Sequence, residues 1–233
     1  MLLMSQGTTD PRWSKLLSLA VHEFRTPITV VAGYIRMLLK DRAGPITEQQ
    51  RKLLEEAEKS CGRLAALVAE MSDLSNLEGG TASLNRSTVD VRALVQEAVT
   101  ALPPMPDREV AVELQPGTDA ATVPGDATRL RAAVTSLMIA LRRELVSTDR
   151  LLVRVSSAQV SDAQMVVIAM ADDQQLPEVT AADPSTLPRF DEWRGGSGLS
   201  LAVARRVIAQ HGGMLLGPPG DGKAAAIAVL PAN

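Results

Sequence analysis

His22 lies in the run His22-Glu23-Phe24-Arg25-Thr26-Pro27. An imidazole is a good nucleophile near neutral pH because its ordinary pKa lies close by. Glu23, beside it, can accept the proton of the other ring nitrogen or assist a proton transfer. Thr26 falls one turn further along on the same side of a helix, where its hydroxyl can position a water molecule. Pro27 has no N–H, so the Glu23 carbonyl loses its helical partner and the helix is expected to bend beside His22. The plain alternative is an exposed helical histidine next to a chance proline. Few structural helices need all these features at once, and their combination marks His22 as a candidate nucleophile.

The elements around this run must hold it in place. Asp10 followed by Pro11 reads as a helix cap and first position. Apolar residues then recur at helical spacing through Leu17, Phe24, Val31 and Leu38. The pattern stops near Asp41, and Gly44-Pro45 makes a turn. Thr47 with Gln50 reads as a capping box opening a second helix, whose stripe runs from Leu53 through Cys61 to Leu77. Each helix is about 30 residues, or roughly 45 Å. Joined by so short a connection, they form an antiparallel hairpin. One partner helix cannot cover stripes this wide. Pairing two hairpins into a four-helix bundle, as a C2 homodimer, covers them; the alternative cover is the C-terminal part of the same chain.

Glu78-Gly79-Gly80 and the residues after it read as a short linker. Beyond it the pattern is mixed. Helices are expected at 90–102, 126–146 and 197–211, and strands at 109–114, 151–157, 164–171 and 224–230. The fold class is therefore α plus α/β: a helical hairpin over 10–78, then an α/β sandwich over 85–233 with its own core.

Composition narrows the function. The chain has 233 residues, 45% of them hydrophobic, but only 2% aromatic, so its cores rest on Leu, Val, Ala, Ile and Met. A net charge of −3 and a pI near 5.5 give no support to nucleic-acid binding. The single cysteine, Cys61, excludes an internal disulfide, fits a reducing compartment and reads as a small core residue. No apolar run reaches the roughly 18 residues needed to span a bilayer, and the N-terminus lacks a signal-peptide pattern. The expectation is a cytoplasmic chain with no input domain ahead of its first helix.

The stretch LAVHEFRTPITVVAGYIRMLL resembles the phosphoacceptor helix of sensor histidine kinases. The second helix, the Gly79-Gly80 linker and Val89-Asp90-Val91 are similar to that family's dimerisation and phosphotransfer domain passing into its ATP-binding domain. The resemblance covers nearly the whole chain. It implies that His22 is the phosphorylated histidine, Glu23 its acid–base partner, and Thr26 the residue tied to dephosphorylation of a response regulator. Gly33, Arg36 and Met37 are candidate docking contacts, against the default of a solvated helix face.

The second half resembles the family's ATP-binding domain with parts replaced. Gly125-Asp126-Ala127-Thr128-Arg129-Leu130-Arg131 is similar to the start of its nucleotide-binding helix. Where the family has two asparagines, the second helping to hold Mg²⁺, this chain has Ser136 and Ala140. The Ala140 side chain has no oxygen with which to ligate a hard cation. The family's Asp-x-Gly-x-Gly motif, whose Asp contacts adenine, reads Asp172-Asp173-Gln174-Gln175-Leu176. Both glycines are gone. Phe190 and Trp193 resemble the aromatic motif before the ATP lid, yet Arg194 leads almost directly into Gly195-Gly196-Ser197-Gly198. The lid is essentially absent. The resemblance leaves Asp172, Gly196 and Gly198 as vestigial nucleotide contacts, and His211 as a structural position.

Three readings follow. In the first, a dimeric protein passes phosphoryl groups between His22 and a response-regulator receiver domain, with a phosphatase action through Thr26; the receiver supplies the Mg²⁺. In the second, the chain is an ATP-dependent kinase with a divergent pocket. In the third, it is a non-catalytic pseudokinase scaffold. Three replacements in one pocket favour the first, because phosphoryl transfer from ATP depends on positioning and on charge neutralisation by a metal.

Overall fold

The computed structural model describes residues 11–80, 82–105, 108–117, 121–146, 148–160, 163–193, 197–218 and 224–233. The chain divides into two compact units at the Ala82–Ser83 junction.

The first unit is a hairpin of α1 (Pro11–Leu39) and α2 (Glu48–Glu78). The proposed Asp10 cap lies outside the described residues. The capping box at α2 is present. Gln50 N–H donates to Thr47 Oγ1 at 3.2 Å, and Thr47 N–H donates to Gln50 Oε1 at 2.8 Å. Both donors would otherwise lack a helical acceptor. In the intervening turn, Arg51 donates to the Leu39 carbonyl at 2.8 Å and pairs with the Asp41 carboxylate at 3.1 Å. Gly80 ends α2 with φ at 65°, a left-handed conformation that a Cβ disfavours.

Val21, Ile35, Val68 and Leu77 are buried within the hairpin, where Ser75 Oγ also donates to the Ser14 carbonyl at 2.8 Å. The rest of the apolar stripes stays open. Leu16, Leu19, Phe24, Leu53 and Leu64 are all between 49% and 66% exposed. Cys61 is half-buried.

The second unit runs β1 (Ser87–Asp90), α3 (Val91–Thr100), β2 (Ala111–Leu114), β3 (Thr122–Gly125), α4 (Ala127–Glu144), β4 (Arg150–Val160), β5 (Ala163–Ala171), α5 (Leu176–Ala181), α6 (Ser200–Gln210), β6 (Met214–Leu216) and β7 (Ala226–Pro231). Five strands form one sheet in the order β2-β4-β5-β7-β6. Only β2 and β4 pair in parallel; the other neighbours are antiparallel, with Ile168 opposite both Val155 and Ala228. β1 and β3 form a separate antiparallel ribbon.

The sheet is covered on both sides, which explains why β5 is almost continuously apolar rather than alternating. Ile168, Ala228 and Leu230 meet Leu94 of α3, Val134 of α4 and Ile208 of α6. The alternate residues Val167, Ala169 and Ala171 cluster with Ile227, Val229 and with Leu176 and Val179 of α5. β1, β3, β6 and α5 were not expected from the sequence; each has only three to six residues. α6 begins at Ser200 rather than at 197 because Gly198 stands before it with φ at 59°.

Candidate phosphotransfer site and nucleotide-side residues

α1 carries the His22 group on its surface. The His22 side chain is 80% exposed and that of Glu23 68%, with Nδ1 of His22 3.4 Å from Glu23 Oε1. At that distance the pair is a loose contact that a bound partner can tighten. With Nδ1 beside Glu23, Nε2 has no hydrogen-bond partner among the described residues. The chain stays helical through Pro27.

Thr26 differs from four other helical threonines. Thr29, Thr100, Thr135 and Thr180 each donate their hydroxyl to the carbonyl four residues earlier, at 2.8 to 2.9 Å. This back-bonding is the usual local satisfaction of a helical hydroxyl. The exposed Thr26 hydroxyl has no hydrogen-bond partner among the described residues. It sits one turn beyond His22, free to bond a water molecule or a bound group. Further along, Met37 is 45% exposed, and Arg36 folds back to donate to the Ala32 carbonyl at 3.1 Å. Around Gly33 an added Cβ would meet open space.

The nucleotide-side residues are in a different condition. Asp172, at the end of β5, is 4% exposed. Its Oδ1 accepts from the backbone amides of Gln174 at 3.1 Å and Gln175 at 2.7 Å, and its Oδ2 accepts from Gln175 Nε2 at 3.1 Å. Ala140 is buried and Ser136 half-buried on α4. Gly198 is described; Gly196 lies outside the described residues, with Arg194 and Gly195. Phe190 is 2% exposed and donates its N–H to the Leu215 carbonyl, whereas Trp193 stands open. Glu192 lies 2.6 Å from Arg205 Nε of α6, close in distance though not aligned as a hydrogen bond. A cleft of about 270 Å³ opens elsewhere, between β1 and the first turns of α3 and α4 at Thr88, Asp90, Ala127 and Thr128. Among the described residues, no three His, Cys, Asp or Glu side chains form a metal-binding group.

His211 is a bracket within the fold. It is 3% exposed; Nδ1 lies 2.7 Å from the Val207 carbonyl and Nε2 is 2.9 Å from the Asp126 N–H. The carbonyl fixes the proton on Nδ1, so Nε2 accepts from Asp126. Burial pushes the His211 pKa down, outweighing the opposing bond to Val207. The Asp126 carboxylate caps α4 at the Arg129 amide and accepts from Asn85 N–H at 3.0 Å. Burial raises its pKa, but these amides prevail and hold the carboxyl below the usual range. Arg86 donates to the Gln210 carbonyl at 2.8 Å, so residues 85–86 are tied to the start of α4 and the end of α6.

Sequence reasoning did not find the Gln175 contact, the Asp126–His211 bond or the Glu192–Arg205 pair. The Asp126 cap had a local signal, an Asp three residues before Arg129. Its bond to His211 spans 85 residues and has no local signature.

Residues 12–80 match the sequence profile of the His Kinase A (phospho-acceptor) domain. The circadian input-output histidine kinase CikA of Synechococcus elongatus is 26% identical over 221 residues, covering 91% of this chain and 29% of that protein. The probable sensor histidine kinase TcrY of Mycobacterium tuberculosis is 30% identical over 205 residues, covering 84% and 41%. A crystal structure of full-length ShkA in complex with AMPPNP superposes with a TM-score of 0.64 at 23% identity, covering 94% of this chain and 45% of that one. The chain belongs to the sensor histidine kinase family, proteins of two-component signalling. It spans less than half the length of these relatives. Its hairpin is of the phosphoacceptor type, and its sheet unit resembles histidine kinase ATP-binding domains. Among the described residues no helix is long and apolar enough to cross a membrane.

Proposed function

We propose that the chain acts as a homodimer that passes phosphoryl groups between His22 and the aspartate of a response-regulator receiver domain. The observation carrying this reading is the open His22 group, with Nδ1 beside Glu23 and the Thr26 hydroxyl, one turn on, unpartnered among the described residues. A proton on Nδ1 facing Glu23 leaves the lone pair on Nε2. Nε2 attacks the phosphorus of an aspartyl phosphate; the N–P bond forms, the P–O bond breaks, and aspartate leaves as a carboxylate. Glu23 stabilises the charged ring through Nδ1–H, and the reverse step restores the aspartyl phosphate. The receiver's own acidic pocket supplies Mg²⁺. Thr26 directs a water molecule to the aspartyl phosphate in a separate phosphatase action.

The residues present do not fit Mg²⁺·ATP. Ala140 offers the metal no oxygen, and the Asp172 carboxylate already accepts three N–H groups from Gln174 and Gln175. The open apolar face of the hairpin supports the homodimer, because contiguous exposed apolar surface marks an interface. Sedimentation should show a dimer that Leu19→Glu with Leu64→Glu converts to monomer. The decisive test incubates the protein with a labelled phospho-receiver. Acid-labile label should appear on the wild type; no label and no faster loss from the receiver would sink the reading. The names of the curated relatives favour a second reading, an ATP-dependent kinase, which requires label on His22 from ATP and Mg²⁺ alone. A pseudokinase scaffold is the third, and it requires His22→Gln to leave signalling in cells unchanged.

A further inference from the structure

We propose that Gln175 determines which ligands the Asp172 site admits, its side-chain amide serving as an internal ligand that keeps an amino-bearing nucleobase out. A buried carboxylate must have its oxygens satisfied, and Asp172 is 4% exposed. Its two oxygens are treated differently. Oδ1 takes two backbone amides, from Gln174 at 3.1 Å and Gln175 at 2.7 Å, which the turn into α5 fixes in place. Among the described residues, Oδ2 takes only the Gln175 side-chain amide at 3.1 Å, a group that can swing away by side-chain rotation alone. Of the two, Oδ2 is therefore the oxygen that a ligand competes for more readily.

The chemistry of the competitor follows from that of the occupant. A primary amide sets an NH₂ donor beside an acceptor oxygen. Adenine sets its exocyclic NH₂ beside an acceptor ring nitrogen in the same plane. An adenine ring offering its amino group to Oδ2 competes there with the Gln175 amide. Hydrogen bonds to a charged acceptor are among the stronger ones, so displacement weakens binding by about 10- to 100-fold. The glycines that the family carries here correspond to positions 174 and 176, and Gln175 between them adds a separate obstacle, because its side chain supplies the donor that the base would have supplied. Gln175 then stabilises the unliganded domain. The inference rests on the phosphotransfer reading only in taking this domain as one that does not use ATP.

The test titrates metal-free ADP into the full chain by calorimetry, comparing wild type with Gln175→Ala; melting curves establish that the variant is folded. Gln175→Ala should bind ADP at least tenfold more tightly than wild type. Equal binding by the two proteins, including no binding by either, overturns the proposal. Nitrogen-15 spectra of the wild type give a reading that needs no variant. The Gln175 Nε2 protons should exchange slowly with water, and exchange as fast as in an open glutamine also overturns it. Uptake of label by His22 from a phospho-receiver judges the phosphotransfer reading separately, so either idea can fail alone.

Discussion

His22 and Asp172 stand in opposite conditions. His22 is four-fifths open to water and has one loose polar contact, and the nearby Thr26 hydroxyl has no hydrogen-bond partner, among the described residues. Asp172 is buried, and residues two and three positions further along the chain supply three N–H donors to its carboxylate. Both are polar groups in family motif positions. A group whose bonding capacity is unmet can engage a partner; one whose capacity the chain already fills contributes to folding. On the proposed reading, the contrast separates a working site from a retained scaffold more clearly than residue identity does, because Asp172 keeps its identity while the chain's own donors occupy its oxygens.

The sharpest way to break the contrast is His22→Gln. It should abolish acid-labile labelling from a phospho-receiver while leaving the melting temperature unchanged, since the side chain is exposed. Glu23→Ala comes next: loss of proton assistance should slow transfer to His22 by about 100-fold in rapid-quench kinetics. Thr26→Ala should slow loss of phosphate from the receiver by roughly tenfold, while labelling of His22 keeps its rate. If both variants lose both activities equally, the division of roles between Glu23 and Thr26 is wrong.

On the buried side the expected effects are on stability. His211→Ala should cost about 1–3 kcal/mol in denaturant melts, because it leaves the Asp126 N–H without its acceptor. The smallest effect is a pH dependence. The folded chain disfavours a proton on His211, so below the ordinary value of 6.5 the unfolded chain takes one up first. Stability should therefore fall as pH drops below about 6.5, and His211→Ala should flatten that slope. Asp126 adds a second loss only at more acidic pH, as its depressed carboxyl finally protonates.

What the sequence reveals tracks the distance between partners. The capping box at Thr47 and Gln50 is legible because its residues are three apart and capping is local. The hairpin is legible because helical periodicity persists over some thirty residues. β1, β3 and β6 are too short for alternation to show, and β1 and β3 pair with each other across an intervening helix and strand. The His22 group is legible because all of its chemistry lies within one helical turn. The state of Asp172 was half legible. Loss of the glycines could be read directly, but formation of a new bond by Gln175 depends on the turn that places its amide against Oδ2.

The openness of His22 also sets a clock. A phosphorus–nitrogen bond formed there has no wall of protein to keep water away, whereas closed active sites shelter their reactive intermediates. Under the proposed transfer, a message written on this side chain fades with time, and it counts only if the phosphoryl acceptor arrives before hydrolysis erases it.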